Sequence, residues 1–307
     1  MSRDVLRSSP WLRLMFFHVA FFIAGNMPLW MGRTLGYLTA TLSWICDARG
    51  RRTVRRNIAH FLPRQCPEAL SRAVRRSYVN FGFAVCESFG MGGVGIGGLR
   101  PRHFTAPCLE LVDPWRVFAR RPLAGAAILT SVHCNWELLS AAYHHLGMLS
   151  SVQAIALSSG DPAIDALFER TRARVNCHSL LLDRAPLASL RALKDGKPLG
   201  LVAERDYTGN GLVVRFGHGR TRMPVGPAAL SVQTQAPIIP CLLARRSAGR
   251  LVLIVARPIR PDQHLAKSEQ VAALTQRLAD CFTRFIAAAP AQWVAFHDPW
   301  ERHPHRR

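Results

Sequence analysis

A chain of 307 residues, 49% of them hydrophobic and 19% charged, is long enough to bury a substantial core and too apolar to stay disordered. Its formal charge of +21 is carried almost wholly by Arg, with Lys only at Lys194, Lys197 and Lys267, so the surface attracts polyanions: nucleic acid, anionic lipid head groups or an acidic carrier protein. The eight cysteines are scattered without a CxxC pair, which argues against a compact disulfide scaffold and for a reducing compartment.

Residues 14–31, LMFFHVAFFIAGNMPLWM, approach the minimum length of a bilayer span but are broken by His18, Gly25, Asn26 and Pro28. No small-residue cleavage site follows, and apolar helical sequence continues through LGYLTATLSWI, so a signal peptide is the poorer reading. The pattern predicts two apolar helices lying in or dipping into one leaflet, an N-terminal membrane anchor over residues 1–48. RGRRTVRR, residues 49–56, then places five Arg within eight positions. Beside an apolar anchor this is the second signal for attachment to an anionic leaflet; the alternative is a solvated helix face.

Residues 53–92 carry helical periodicity, interrupted at Pro63. The run GMGGVGIGG, residues 90–98, lacks the GK[ST] ending of a phosphate loop and is followed by LRPRHF, so it predicts a flexible connection. The organisation expected is the anchor (1–48), a basic helical region with the Gly-rich connection (49–120) and an α/β core (121–307), with 49–307 as one domain. Within the core, strands are predicted at 125–130, 152–157, 177–182, 199–203, 238–243 and 251–255, and helices at 136–146, 162–175, 186–194, 227–234 and 267–288. Strands separated by helices imply an α/β fold with a mostly parallel central sheet flanked by helices.

Two stretches concentrate chemistry. In LTSVHCNWELL, residues 129–139, His133 stands at a strand-to-helix junction, where open α/β sheets bind ligands. His133 and Glu137 are four apart, and an imidazole with a carboxylate on one nitrogen is supported as a base at the other. A capping Glu137 beside a satisfied turn histidine is the bland alternative. A His and Glu one helical turn apart can also ligate zinc, but no third ligand is evident and no metal is expected.

The second stretch, residues 201–240, opens on a strand ending in Glu204, Arg205 and Asp206, then supplies Arg215, His218, Arg220 and Arg222. It closes on GPAAL, a helix start with Pro227 in its first turn and backbone donors near Gly226. Arg at this density around a helix start suits a phosphate or a developing oxyanion, with ordinary loop ion pairs as the alternative. No GxSxG elbow supports a serine acyl-enzyme, and Cys134 reads as a buried thiol.

With both stretches in view, the chain resembles the bacterial lipid A biosynthesis (lauroyl/myristoyl) acyltransferase family of the lysophospholipid acyltransferase-like superfamily, which includes the phosphatidylinositol mannoside acyltransferases. The likeness covers nearly the whole chain: the apolar start, RRTVRRNIAHFLP, HCNWELL, ERD, FGHGRTRMPVGPAAL with TQAPIIP, and AAAPAQWVAFHDPW at residues 287–300. It implies a peripheral or monotopic enzyme on the cytoplasmic face of the bacterial inner membrane. The reaction implied is transfer of a fatty acyl group from an acyl carrier protein or coenzyme A thioester to a hydroxyl of a membrane glycolipid, with no further cofactor.

His133 would be the general base and Glu137 would align or stabilise the imidazolium, with Glu204, which looks like the additional acidic residue of the mannoside branch, as the alternative partner. Asn135, Arg205, Asp206, Arg220, Arg222 and Gly226 would bind substrate, the arginines or the Gly226 backbone meeting the oxyanion or a phosphate. Two departures stand out: three residues separate His133 from Glu137 where the family usually has four, and LSSGDP at residues 157–162 replaces an Arg-Pro pair. The partners expected are anionic lipids, the thioester donor and the glycolipid acceptor, not nucleic acid, because aromatics interleaved with the basic residues are scarce. The rival reading within the same fold is a catalytically silent membrane scaffold.

Overall fold

Pro28 splits the apolar start, as a residue without a backbone N–H must, into α1 (Pro10–Asn26) and α2 (Leu29–Cys46). The computed structural model describes residues 10–62, 67–90, 108–246 and 250–300; the Gly-rich connection at 91–98 lies outside them. Two further helices, α3 (Ala48–Ala59) and α4 (Pro67–Gly90), complete the helical region. Asp47 starts α3 by accepting from the Gly50 N–H at 2.7 Å and ties it to α4 by accepting from the Tyr78 hydroxyl at 3.1 Å. Arg51 turns back to the open end of α2 and donates to the Trp44 and Ile45 carbonyls, so one of the five clustered arginines serves as a helix cap.

Helices α2 and α4 cross where Gly36 faces Gly82. A methyl group placed on Gly36 would stand 2.8 Å from the Gly82 carbonyl oxygen, so glycine is what lets the two backbones meet. The outer faces of α1 and α2 leave large apolar side chains in the open, among them Trp11, Phe16, Phe22, Trp30 and Leu42. Among the described residues no helix is long and apolar enough to cross a membrane. The two apolar helices expected at the N-terminus are thus present.

The remaining elements are β1 (Leu109–Val112), β2 (Ile128–Ser131), α5 (Trp136–His145), β3 (Val152–Ala156), α6 (Pro162–Ala173), β4 (Cys177–Leu181), α7 (Ala185–Lys194), β5 (Leu199–Val202), β6 (Leu212–Phe216), β7 (Gly219–Met223), α8 (Gly226–Thr234), β8 (Ile238–Arg245), β9 (Leu251–Val255) and α9 (Lys267–Ala288). Seven strands form one sheet in the order β1-β9-β8-β2-β5-β3-β4, and β6 and β7 form a separate hairpin. All pairings in the large sheet are parallel except β8 with β9. Alternate residues feed a core on each face: Ile128 and Leu199 pack with Leu278 and Phe282 of α9, whereas Leu129 packs with Leu138 and Ala142 of α5.

Strand β2 starts three residues later than predicted, after Gly125 turns at φ +84. The hairpin replaces what reads as an Arg-rich loop. Val214, Phe216, Thr221 and Met223 are buried while Arg215, Arg220 and Arg222 are exposed, an alternation that the guanidinium side chains hide in the sequence. Beyond α9 the chain turns at Pro290–Gln292 and runs back across the helical region. Asn80 donates to the Ala291 carbonyl at 2.9 Å, and buried Asn57 donates to those of Ala295 and His297, each at 2.8 Å. Trp300 Nε1 in turn donates to Asn57 Oδ1 at 2.8 Å.

Candidate active site

Strands β2 and β5 are hydrogen-bonded neighbours whose register pairs Ser131 with Val202. Two residues further along each strand come His133 and Glu204, so the parallel register delivers them side by side at the carboxyl edge of the sheet. Glu204 Oε1 accepts from the His133 backbone N–H at 3.1 Å, from His133 Nδ1 at 2.5 Å and from Trp293 Nε1 at 3.3 Å. The Glu204 side chain is 1% exposed. Burial pushes its carboxyl up, but the His133 charge and hydrogen bonds outweigh it and hold the group below the ordinary carboxylate value. An ionised carboxylate only accepts, so Nδ1 carries a proton, and Nε2 faces outward 3.3 Å from the Tyr207 hydroxyl, which donates to it when the ring is neutral. The His133 carbonyl accepts from Val294 N–H at 2.8 Å, which ties the site to the C-terminal segment.

Glu137 lies elsewhere. Helix α5 begins only at Trp136, and Asn135 before it adopts a left-handed conformation (φ 47), so His133 and Glu137 do not share a helix face. Glu137 instead receives Arg172 of α6 in a two-point ion pair, Nε to Oε2 at 3.0 Å and Nη2 to Oε1 at 2.5 Å, and Arg172 Nη1 donates to Ser179 Oγ at 3.0 Å. Of the two carboxylates considered from sequence, Glu204 meets the ring and Glu137 does not.

A cavity of about 430 Å³ opens at His133 and runs inward along β2, β3 and β5. Leu129, Leu139, Val152, Ala154 and Leu201 make much of its wall apolar, with the Glu137–Arg172 pair set into one side. Arg205, Asp206 and Gly226 also line it, whereas Asn135, Arg220 and Arg222 are not among its lining residues. Asn135 is buried and donates to the Leu243 carbonyl at 3.0 Å. Arg220 stands on the exposed face of the hairpin opposite Arg215, and Arg222 donates to the Gly211 carbonyl at 3.1 Å. Asp206 accepts from the backbone N–H groups of Thr208, Gly209 and Gly211 and so shapes the loop after β5. Gly226, the first residue of α8, leaves its N–H without an intrahelical acceptor.

Two neighbours of the dyad are electrically quiet. Burial, reinforced by the charge of Arg205, lowers the His297 ring to about 4, so it is neutral at pH 7. Burial pushes the Cys134 thiol up to about 12, which makes it a packed side chain rather than a nucleophile. Among the described residues no group of three His, Cys, Asp or Glu side chains is placed to hold a metal ion.

A profile of the bacterial lipid A biosynthesis acyltransferase family matches residues 2–302. The chain belongs to this family. It is also similar to the phosphatidylinositol mannoside acyltransferase of Mycolicibacterium smegmatis, 28% identical over 262 residues that cover 82% of this chain and 80% of the relative. To the protein of the same name from Mycobacterium tuberculosis it is 39% identical over 121 residues, 38% of this chain and 36% of the relative. The protein is thus an acyltransferase of the lipid A and phosphatidylinositol mannoside type.

Four side chains escape a sequence reading: Trp293 and Tyr207, which touch the acyltransferase dyad, Arg172, which pairs with Glu137, and Asn57, which holds the C-terminal segment. Tyr207 has a signal, since it follows the ERD just beyond the end of β5. The other three reach the site only through contacts with distant parts of the chain.

Proposed function

We propose that this acyltransferase transfers a fatty acyl group from an acyl carrier protein or coenzyme A thioester to a hydroxyl of a phosphatidylinositol mannoside-like glycolipid. The observation that carries the reading is the His133 ring, fixed through Nδ1 on a buried carboxylate and presenting Nε2 at the mouth of a largely apolar cavity. The fatty chain lies in that cavity with the thioester carbonyl near the ring. The acceptor hydroxyl gives its proton to Nε2 as its oxygen attacks the carbonyl carbon. Glu204 stabilises the imidazolium so formed, and Arg205 or the Gly226 N–H takes the oxyanion. Collapse of the tetrahedral intermediate breaks the carbon–sulfur bond, and the departing thiolate takes the proton back from His133. Support for the mannoside-type acceptor comes from the names of the relatives, and the exposed Arg215 and Arg220 suit an acidic donor carrier.

The enzyme works as a peripheral or monotopic protein on the cytoplasmic face of the inner membrane. Exposed apolar side chains of α1 and α2, next to exposed Arg49, Arg52, Arg55 and Arg56, combine the two signals that hold a protein on an anionic leaflet. The decisive experiment is acyl transfer by purified His133→Ala. Loss of transfer by about a hundredfold to ten-thousandfold, in a chain that still folds cooperatively, is expected for removal of a general base. Undiminished transfer would remove the mechanism.

A further inference from the structure

The position from which a general base accepts its proton is already taken. Tyr207 places its hydroxyl 3.3 Å from His133 Nε2, on the side of the ring away from Glu204. Nε2 of a neutral imidazole has one lone pair, so it accepts one good hydrogen bond at a time. The Tyr207 hydroxyl and an acceptor hydroxyl therefore exclude each other.

The tyrosine is held well enough to occupy that place and loosely enough to leave it. Its backbone sits at the start of the loop shaped by Asp206, whose Oδ2 accepts from Gly211 N–H at 2.7 Å. Its ring carries the Arg205 guanidinium 4.5 Å from its centroid, a cation–π contact. Tyr207 is 41% exposed at the cavity mouth, and 3.3 Å is long for an O–H donor, so the bond to Nε2 is a weak one. Burial and then Glu204 raise the Tyr207 pKa against the pull of Arg205, so the phenol is protonated and acts as a donor, not as a nucleophile.

We propose that Tyr207 is a positioning residue that caps the base until the acceptor hydroxyl displaces it, and so keeps water from the activated position while a thioester is bound. The inference rests on His133 being the base. Without the cap, water at Nε2 would lose its proton to the ring and attack the thioester carbonyl. The products would be the free fatty acid and a thiol, which takes the proton from the imidazolium. The cap thus favours transfer over hydrolysis.

The test uses the full chain in detergent micelles, with palmitoyl-coenzyme A as thioester and phosphatidylinositol dimannoside as acceptor. Tyr207→Phe keeps the ring under Arg205 and removes the hydroxyl. Thioester hydrolysis without acceptor is expected to rise about three- to tenfold, the weight of one neutral hydrogen bond. KM for the acceptor should fall, kcat for transfer should stay within about twofold, and adding His133→Ala should abolish the extra hydrolysis. Unchanged hydrolysis and KM in Tyr207→Phe, with His133→Ala inactive, would overturn the cap and leave the base intact. A fall in kcat of about a hundredfold would also overturn it, by placing the hydroxyl in the chemistry itself. Full transfer by His133→Ala would instead remove the reading on which the cap depends.

Discussion

His133 and Glu204 stand 71 residues apart in the chain and 2.5 Å apart in space because each lies two positions beyond the end of a neighbouring parallel strand. The dyad is a property of strand order, and its geometry is set by the backbone rather than by a flexible loop. Glu204→Gln keeps the shape of the side chain and removes its charge. Transfer should fall by about ten- to thousandfold through loss of support for the imidazolium, and the melting temperature should fall as well, because the buried charge and its hydrogen bonds also stabilise the fold. Kinetics and thermal unfolding of the same sample check both halves, and full activity would show that the ring works without its carboxylate.

Glu137→Gln should cost stability without touching the base. It leaves Arg172 largely buried, its side chain 16% exposed, without a counter-charge, and breaking a pair of this kind costs about 3–5 kcal/mol. Denaturant unfolding should report that loss, whereas the pH dependence of transfer keeps its wild-type shape. A changed pH profile would mean that Glu137 acts on the base after all.

His297 gives the fold a built-in acid sensitivity. Its native pKa of about 4 lies below the ordinary histidine value of 6.5, so the unfolded chain binds a proton that the native chain refuses. The stability this contributes is complete above pH 6.5 and is lost as pH falls from there toward 4. In His297→Gln the stability curve should be flatter across that window, as read by melting temperature at half-unit pH steps. An equally steep decline would assign the sensitivity to other groups.

Asn57 links α3 to the C-terminal segment through three hydrogen bonds, all out of reach of α5 and the dyad in sequence. Asn57→Ala strands two carbonyls and the Trp300 N–H, a loss of about 2–4 kcal/mol. Because Trp293 and Val294 in the same segment hold Glu204 and the His133 carbonyl, transfer should weaken as well. Retained stability with retained transfer would show the segment to be anchored by its aromatic packing alone.

Where the sequence is periodic the fold is legible. Helix α9 covers the predicted residues from Lys267 to Ala288 through its helical periodicity, and β3, β4, β5 and β9 match within a residue because polar or turn residues bound each of them. The hairpin is missed where exposed arginines mask a two-residue alternation. The dyad was half legible: both members could be placed past the ends of buried strands, but nothing local says that β2 and β5 are neighbours. Glu137 misleads because a spacing of four lets it share a helix face with His133 or reach back to it from the first turn, and nothing local says that Arg172 of α6 takes its carboxylate instead. Asn135, in a left-handed conformation that Asn tolerates better than most residues, turns the chain between them.

The glycine contact between α2 and α4 bears on how this enzyme can be handled. Truncation at residue 47 would not free a water-soluble catalytic fragment; it would strip α4 of the surface it was shaped to receive and bare a fresh oily groove. Anyone wishing to crystallise or re-engineer the protein should keep the first two helices and supply a detergent, since the grease is built into the architecture and not clipped onto it.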